Sequence, residues 1–294
     1  TTLEECAELA RGLAKRIYDE LGIPCYCYEA AAFKPERKNL AVCRAGEYEA
    51  LPEKIADPAK APDFGPKEYN ETVAKSGAIN VGARDFLVAV NYNLNTTSTR
   101  RAMAIAFDVR EKGRKMREGG SLTGKVLKDE NGKDRWQPGT LKGCKAIGWY
   151  IDEYGIAQVS MNITDIKTTP LHVAYEEVSR AAAARGLRVT GAEIVGLVPK
   201  RVLIEAGKFY LEKQERSLGI SDEEIMKIAV KSMSLDDLKP FNPHEKVIEY
   251  LMEDPEQMAI KERLIRMTLK GFAEETASES PAPGGGSISA YMGA

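Results

Sequence analysis

Alternation with period two over residues 86–94, followed at once by a helical repeat, constrains this chain more than any other stretch of it. In Phe86-Leu-Val-Ala-Val-Asn-Tyr-Asn-Leu94, the side chains of Phe86, Val88, Val90, Tyr92 and Leu94 fall on one side of an extended backbone. Asn91 and Asn93, with Asn95 beyond, fall on the other. Ala102, Ile105, Ala106 and Val109 then recur at helical spacing. Residues 145–151 and 156–163 flank Asp152-Glu153-Tyr154-Gly155, which is hairpin chemistry. Thr169-Pro170 opens a second helix, with threonine as its cap and proline at its first position, and 189–198 reads as a fourth strand. The order β-α-β-β-α-β is the ferredoxin-like split βαβ arrangement, of α/β (α+β) class, with both helices on one face of an antiparallel sheet.

The other face carries the functional argument. In the hairpin's second strand, Val159, Met161 and Ile163 point one way and Gln158, Ser160 and Asn162 the other. Two strands thus offer Asn91, Asn93, Gln158, Ser160 and Asn162 together. A face that meets water is one explanation. Solvated strand faces favour threonine, lysine and glutamate, however, and asparagine fits pleated structure poorly. A sheltered wall that hydrogen-bonds a ligand is the other explanation. Amides both donate and accept, at less desolvation cost than fixed charge.

The rest of the chain supplies the frame. Thr2 and Glu5 form a capping box, and Leu3, Cys6, Leu9, Leu13, Ile17 and Leu21 form one apolar helical stripe. The chain starts inside this helix without an initiator methionine, and it stops just after Pro283-Gly-Gly-Gly-Ser287, a helix-opening turn, so both ends read as cut. Residues 25–28 form a strand, and 33–82 read as loop-rich because five prolines interrupt them. Further helices are expected at 200–213, 222–233 and 244–252. Residues 111–142 form a Gly-rich insertion with nine basic side chains against five acidic ones, read either as a solvated loop or as a device that steers a carboxylate-bearing substrate. Five cysteines, unevenly spread and with no secretory signal, read as reduced thiols in a cytoplasmic setting. A net charge of −2 argues against a polyanionic nucleic-acid partner, and no run reaches the length of a membrane span.

Catalytic signals are sparse. His172 lies in the first turn of the second helix, where the dipole disfavours its protonated form; it reads as a poised base or as a partly buried structural residue. His244 reads as surface. No HExxH, paired-cysteine, Walker A or Gly-x-Ser-x-Gly motif is present. Residue chemistry alone gives a ligand wall without a catalytic engine, and no metal site.

Arg44-Ala-Gly-Glu-Tyr-Glu-Ala-Leu-Pro, Ala61-Pro-Asp-Phe-Gly-Pro, Gly82-Ala-Arg-Asp-Phe-Leu-Val-Ala-Val-Asn-Tyr-Asn-Leu, Gly148-Trp-Tyr-Ile-Asp-Glu, Gln158-Val-Ser-Met-Asn and Val195-Gly-Leu-Val-Pro resemble, in that order, glutamate formiminotransferase. Residues 262–294, with Ser280-Pro-Ala-Pro-Gly-Gly-Gly-Ser, resemble the start of the cyclodeaminase domain that follows the transferase in bifunctional members. The resemblance implies a partial N-terminal subdomain at 1–82, a C-terminal subdomain at 83–254, a linker at 255–261 and a cyclodeaminase start at 262–294. It implies two α/β subdomains whose sheets face each other across a folate tunnel, with the amide face as one wall. Folate contacts are then expected from Gly65, Pro66, Lys67, Glu68, Tyr69, Ser76 and Gly77 as well.

The implied reaction moves a formimino group from N-formiminoglutamate to N5 of tetrahydrofolate, in histidine degradation. Tetrahydrofolate, carrying a polyglutamate tail, is the co-substrate, no metal is needed, and the intact parent is expected to be a homo-oligomer. The family's catalytic histidine belongs to a His-Pro-Arg-Met-Gly-like segment that would precede Thr1, so this segment alone is expected to be inactive. Two other readings stand beside it: a non-catalytic folate-binding or scaffold protein, and an RNA-binding ferredoxin-like module. The second of these lacks an exposed aromatic RNA-binding pattern.

Overall fold

Thr2 caps helix α1 (Leu3–Leu21) reciprocally: its hydroxyl accepts from the Glu5 backbone N–H, and the Glu5 carboxylate accepts from the Thr2 backbone N–H at 2.7 Å. The computed structural model describes residues 2–120, 124–252, 267–276 and 289. It divides into two units, Thr1–Phe86 and Leu87–Ala294. The expected linker at 255–261 and most of the expected segment at 262–294 lie outside the described residues, apart from a short helix at Leu269–Thr276.

In the first unit, α1 buries Ala7, Ala10 and Ala14 against Cys25, Cys27, Val81 and Ala83. Of the expected stripe only Cys6 and Ile17 pack against this core, while its leucines point outward, with Leu9 69% and Leu13 53% exposed. Two apolar stripes share this helix and spacing cannot rank them; methyl-sized side chains win the inner seam because they let the helix axis come close to the strands. Strand β1 (Cys25–Glu29) pairs in parallel with β2 (Ile79–Ala83). β2 lies inside the stretch read as loop-rich, as do a 3₁₀ turn (Pro35–Lys38), α2 (Leu40–Cys43), α3 (Leu51–Ala56) and α4 (Glu71–Ser76). Pro35 and Pro52 stand in first turns, where proline starts a helix rather than breaking it. Both sheet faces are covered, since Tyr26 packs against Cys43, Leu51, Ile55 and Val73 opposite α1. Beneath them Arg37 and Asp63 form a buried ion pair at 2.6 Å, with side chains only 4% and 5% exposed. Asp63 also accepts from the Cys27 backbone N–H at 2.7 Å.

In the second unit, β3 (Val88–Leu94) runs into α5 (Thr99–Val109). A small hairpin of β4 (Arg114–Lys115) and β5 (Trp136–Gln137) comes next, then β6 (Cys144–Ile151), β7 (Ile156–Ile163), α6 (Leu171–Ala183) and β8 (Val189–Val195). The sheet order is β6-β7-β3-β8 and every pairing is antiparallel, which is the split βαβ topology. Val88, Val90, Tyr92, Leu94, Val159, Met161 and Ile163 are buried under α5 and α6 with Ile105, Val109, Ala174 and Val178. Phe86 stands outside the strand and is exposed. Gly148 permits a close helix-to-sheet approach: a Cβ there would lie 2.1 Å from the Met103 backbone nitrogen on α5.

The chain continues through α7 (Lys200–Lys213), α8 (Asp222–Ser232), α9 (Pro243–Lys246) and α10 (Ile248–Leu251). The expected helix over 244–252 is split at Val247, which is fully buried and extended because it bridges to Val198, with Val198 N–H donating to Lys246 O and Ile248 N–H to Val198 O. Thr169 does not cap α6. Its hydroxyl donates to the Lys142 carbonyl at 2.7 Å, and Pro170 occupies the cap position.

Candidate amide-lined binding face

Strand register turns the helix-free face of the second unit into three rows, written from β6 across to β8. Lys145, Asn162, Ala89 and Val195 make the first, Ile147, Ser160, Asn91 and Glu193 the second, and Trp149, Gln158, Asn93 and Gly191 the third. Residues directly paired across antiparallel strands share a face, so Asn91, Asn93, Gln158, Ser160 and Asn162 are together on one surface. Ile147, Trp149 and Val195, all exposed, border the amides with apolar surface.

The third row is roofed. The segment that follows α8 folds over β8: Ala192 N–H donates to Ser234 O at 3.1 Å, and a Cβ on Gly191 would meet the Asp237 Cβ at 2.4 Å. Asn93 and Gln158 are therefore fully buried, whereas Asn91 is 6% exposed, Ser160 half-buried and Asn162 exposed. A hydrogen-bond relay runs along the row. Gln158 Nε2 donates to Asn93 Oδ1 at 2.7 Å, and Asn93 Nδ2 donates to Asp237 Oδ2 at 3.0 Å. The Thr190 hydroxyl donates to the same Asp237 oxygen. In the second row Asn91 Nδ2 donates to Glu193 Oε2 at 3.3 Å. Gln158 Oε1 is buried with no hydrogen-bond partner among the described residues. A buried acceptor left unpaired costs about 1–3 kcal/mol, which a ligand donor on this face would recover.

The residues expected from the first unit fall in two places. Gly65 is pressed between prolines, its absent Cβ lying 2.4 Å from Pro62 and 3.3 Å from Pro24, and Pro66 lines a shallow depression with Tyr18, Gly22 and Thr72. Lys67 and Glu68 are exposed. Ser76 and Gly77 line a separate cavity of about 300 Å³ with Tyr26, Tyr48, Lys54 and Asn80. Tyr69 belongs with this second group through Tyr48, whose hydroxyl lies 3.4 Å from that of Tyr69 and donates to Ala74 O. Gly77 needs its glycine, since it ends α4 at φ 69° and ψ −147°, a backbone region that side chains bar to other residues. Tyr26 Oη and Asn80 Oδ1, buried and unpartnered among the described residues, sit at the cavity's wall. Lys54, buried beside it, donates to Cys43 O, and desolvation lowers its pKa.

Neither histidine joins the amide rows. His172 stacks on Phe209 at 4.5 Å, and burial lowers its pKa, with Glu205 and Glu176 pulling weakly the other way; burial, not the helix dipole, is the leading cause. His244 stacks on Tyr250. In the charged insertion, Lys112 and Lys115 lie over Trp136 beside a cavity of about 560 Å³ lined by Phe107, Arg110, Arg114 and Arg117. None of the row residues lines it. Among the described residues no cluster of His, Cys, Asp or Glu could hold a metal, and no helix is long and apolar enough to cross a membrane.

Sequence reasoning missed Asp237 and the β6 residues of the rows. Parity in Lys145-Ala-Ile-Gly-Trp149 was available as a signal for β6. Nothing periodic marks Asp237, which reaches the face only through the turn after α8.

The sequence profile described as "Formiminotransferase domain" matches residues 89–253, its "N-terminal subdomain" profile matches 1–84, and "Formiminotransferase-cyclodeaminase" matches 268–294. Formimidoyltransferase-cyclodeaminase of Sus scrofa is 43% identical over 295 residues, covering 100% of this chain and 49% of that protein. The Dictyostelium discoideum protein of that name is 38% identical over 294 residues, covering 100% and 50%. Glutamate formimidoyltransferase of Thermoplasma acidophilum is 39% identical over 214 residues, covering 72% of this chain and 61% of that protein. The chain thus spans about half the length of the bifunctional relatives it matches.

Proposed function

We propose, because this chain belongs to the formiminotransferase family, that its amide-lined sheet face binds the pterin ring of tetrahydrofolate during transfer of a formimino group from N-formiminoglutamate. The observation that carries this reading is the run of Asn91, Ser160 and Gln158 in adjacent rows, with a buried carbonyl oxygen that has no partner among the described residues. A pterin offers a flat ring edged with donors and acceptors, and a surface of amides bordered by Ile147, Trp149 and Val195 suits both the edge and the ring faces. Gly65, Pro66, Lys67, Glu68, Tyr69, Ser76 and Gly77 are proposed as further folate contacts, and residues 1–82 and 83–254 as the two subdomains of the transferase.

In the reaction the N5 lone pair attacks the amidine carbon, the bond from that carbon to the glutamate nitrogen breaks, and a proton passes from N5 to the departing amine. The amides of this face are neither nucleophiles nor bases, and the Glu193 carboxylate among them is engaged by Asn91. Their contribution is to fix the ring so that N5 meets the donor in one orientation, which turns an encounter into an intramolecular step.

Anaerobic titration calorimetry of the chain with tetrahydrofolate tests the reading. Asn91→Ala and Ser160→Ala should each weaken binding by about tenfold, as loss of one ligand hydrogen bond does. Binding unchanged in both variants refutes it.

A further inference from the structure

The buried amides on this face, Asn91 and the Asn93–Gln158 pair, are each backed by a carboxylate, and the direction of their hydrogen bonds follows from that. A carboxylate accepts and cannot donate. Asp237 therefore takes the Asn93 amino group, at 3.0 Å, which leaves Asn93 Oδ1 to accept from Gln158 Nε2, at 2.7 Å. Gln158 is then left with its carbonyl oxygen as the free end, and that is the buried atom without a partner among the described residues. Glu193 does the same to Asn91 in the next row, taking its amino group and leaving Oδ1 as the group on offer. The two carboxylates lie on different elements, Glu193 on β8 and Asp237 in the turn after α8, yet they impose the same polarity.

We propose that Asp237 and Glu193 are positioning residues that polarise the wall into hydrogen-bond acceptors, so that it selects a reduced pterin, which brings N–H donors, over an oxidised one. The inference rests on the folate reading above and deepens it. A tetrahydropterin carries N–H groups at both N5 and N8, whereas the fully oxidised ring has bare lone pairs at those two atoms. Two carbonyl oxygens facing those lone pairs would stay unpaired in a dehydrated site, and a site built to bond a donor discriminates sharply against an analogue that lacks it. Trp149, exposed on the edge strand, is the row neighbour of Gln158 and offers the ring an aromatic face beside it.

The test is the ratio of dissociation constants for folic acid and tetrahydrofolate, measured anaerobically on the full chain and on Asp237→Asn and Glu193→Gln. Both substitutions keep shape and replace an obligate acceptor with a group that can donate. In Asp237→Asn the relay can run backwards, the introduced amide donating to Asn93 and Asn93 to Gln158, so that Gln158 offers an amino group instead. The ratio should fall by about tenfold in each variant, the change expected when one buried bond is exchanged for a mismatch. Equal weakening of both ligands marks a merely structural role and overturns the proposal, as does an unchanged ratio. Should Asp237→Asn unfold, Glu193→Gln decides alone, because it touches the second row and leaves the roof intact. Failure of tetrahydrofolate to bind the unaltered chain overturns the folate reading itself, an outcome distinct from either of these.

Discussion

Replacing Asp63 with asparagine probes the first unit where its burial is most demanding. Arg37 and Asp63 meet at 2.6 Å with side chains 4% and 5% exposed, and Arg37 also donates to Ala61 O. The variant keeps the shape but leaves a guanidinium out of water with no countercharge, a loss that costs about 3–5 kcal/mol for a buried pair. Asp63 further accepts from Cys27 N–H, so the same change loosens β1. Burial holds the Cys25 and Cys27 thiols up at about 11, so neither reacts with a disulfide reagent until the unit opens. Site-resolved thiol labelling should therefore speed up by at least about a hundredfold at Cys25 and Cys27 in Asp63→Asn, the factor that 3 kcal/mol implies. Cys144, buried in the other unit, serves as the internal control. The double variant Arg37→Met with Asp63→Leu should restore part of the slow labelling, because an apolar pair replaces the ion pair at little net cost while the Cys27 N–H still loses its acceptor. Labelling of Asp63→Asn at the unaltered rate would refute the claim that this pair organises the unit.

Two further outcomes follow from the second unit. Gly148→Ala would push a methyl to within 2.1 Å of the Met103 nitrogen and should lower stability by about 1–3 kcal/mol in urea unfolding followed by tryptophan fluorescence. An unchanged midpoint would mean that α5 can ride up off β6. His172 has a pKa below its usual 6.5, so as pH falls the unfolded chain takes up the proton first and stability drops; above 6.5 both states are neutral and the effect vanishes. His172→Phe, which keeps a ring against Phe209, should flatten that acid limb of the unfolding midpoint between about pH 7 and 5, and an identical slope in both proteins would show that another group carries it.

The second unit was legible because its strands alternate: in 86–94 and 156–163 the large buried residues keep one face and every amide the other, with Ala89 and Ile156 the apolar residues that share the amide parity within β3 and β7, and the observed register keeps them so. In the first unit α1 and β1 were legible, but β2, the inner face of α1 and the short helices within 33–82 were not. Its parallel strands are covered on both faces, so Cys25-Tyr-Cys-Tyr28 and Ile79-Asn-Val-Gly-Ala83 carry no polar beat, and the alanine seam of α1 is hidden beside a stronger leucine pattern. Val247 shows the reverse failure, since its neighbours favour helix but a backbone bridge to Val198 overrules them. The candidate face was half legible. The amides came from parity, while the carboxylate that orients Asn93 sits 144 positions further along the chain and is brought in only by tertiary folding.

Because the same two strands supply both the packed interior and the amide surface, length in them has a parity. Adding or deleting one residue inside β3 or β7 would swap the two roles wholesale, sending Tyr92 and Met161 outward and asparagine inward, whereas a change of two would merely slide the pattern. The turn at 152–155 joins β6 to β7 and lies outside that constraint. Variation in length among natural versions of this fold should therefore gather in the turns and leave these strands at fixed count.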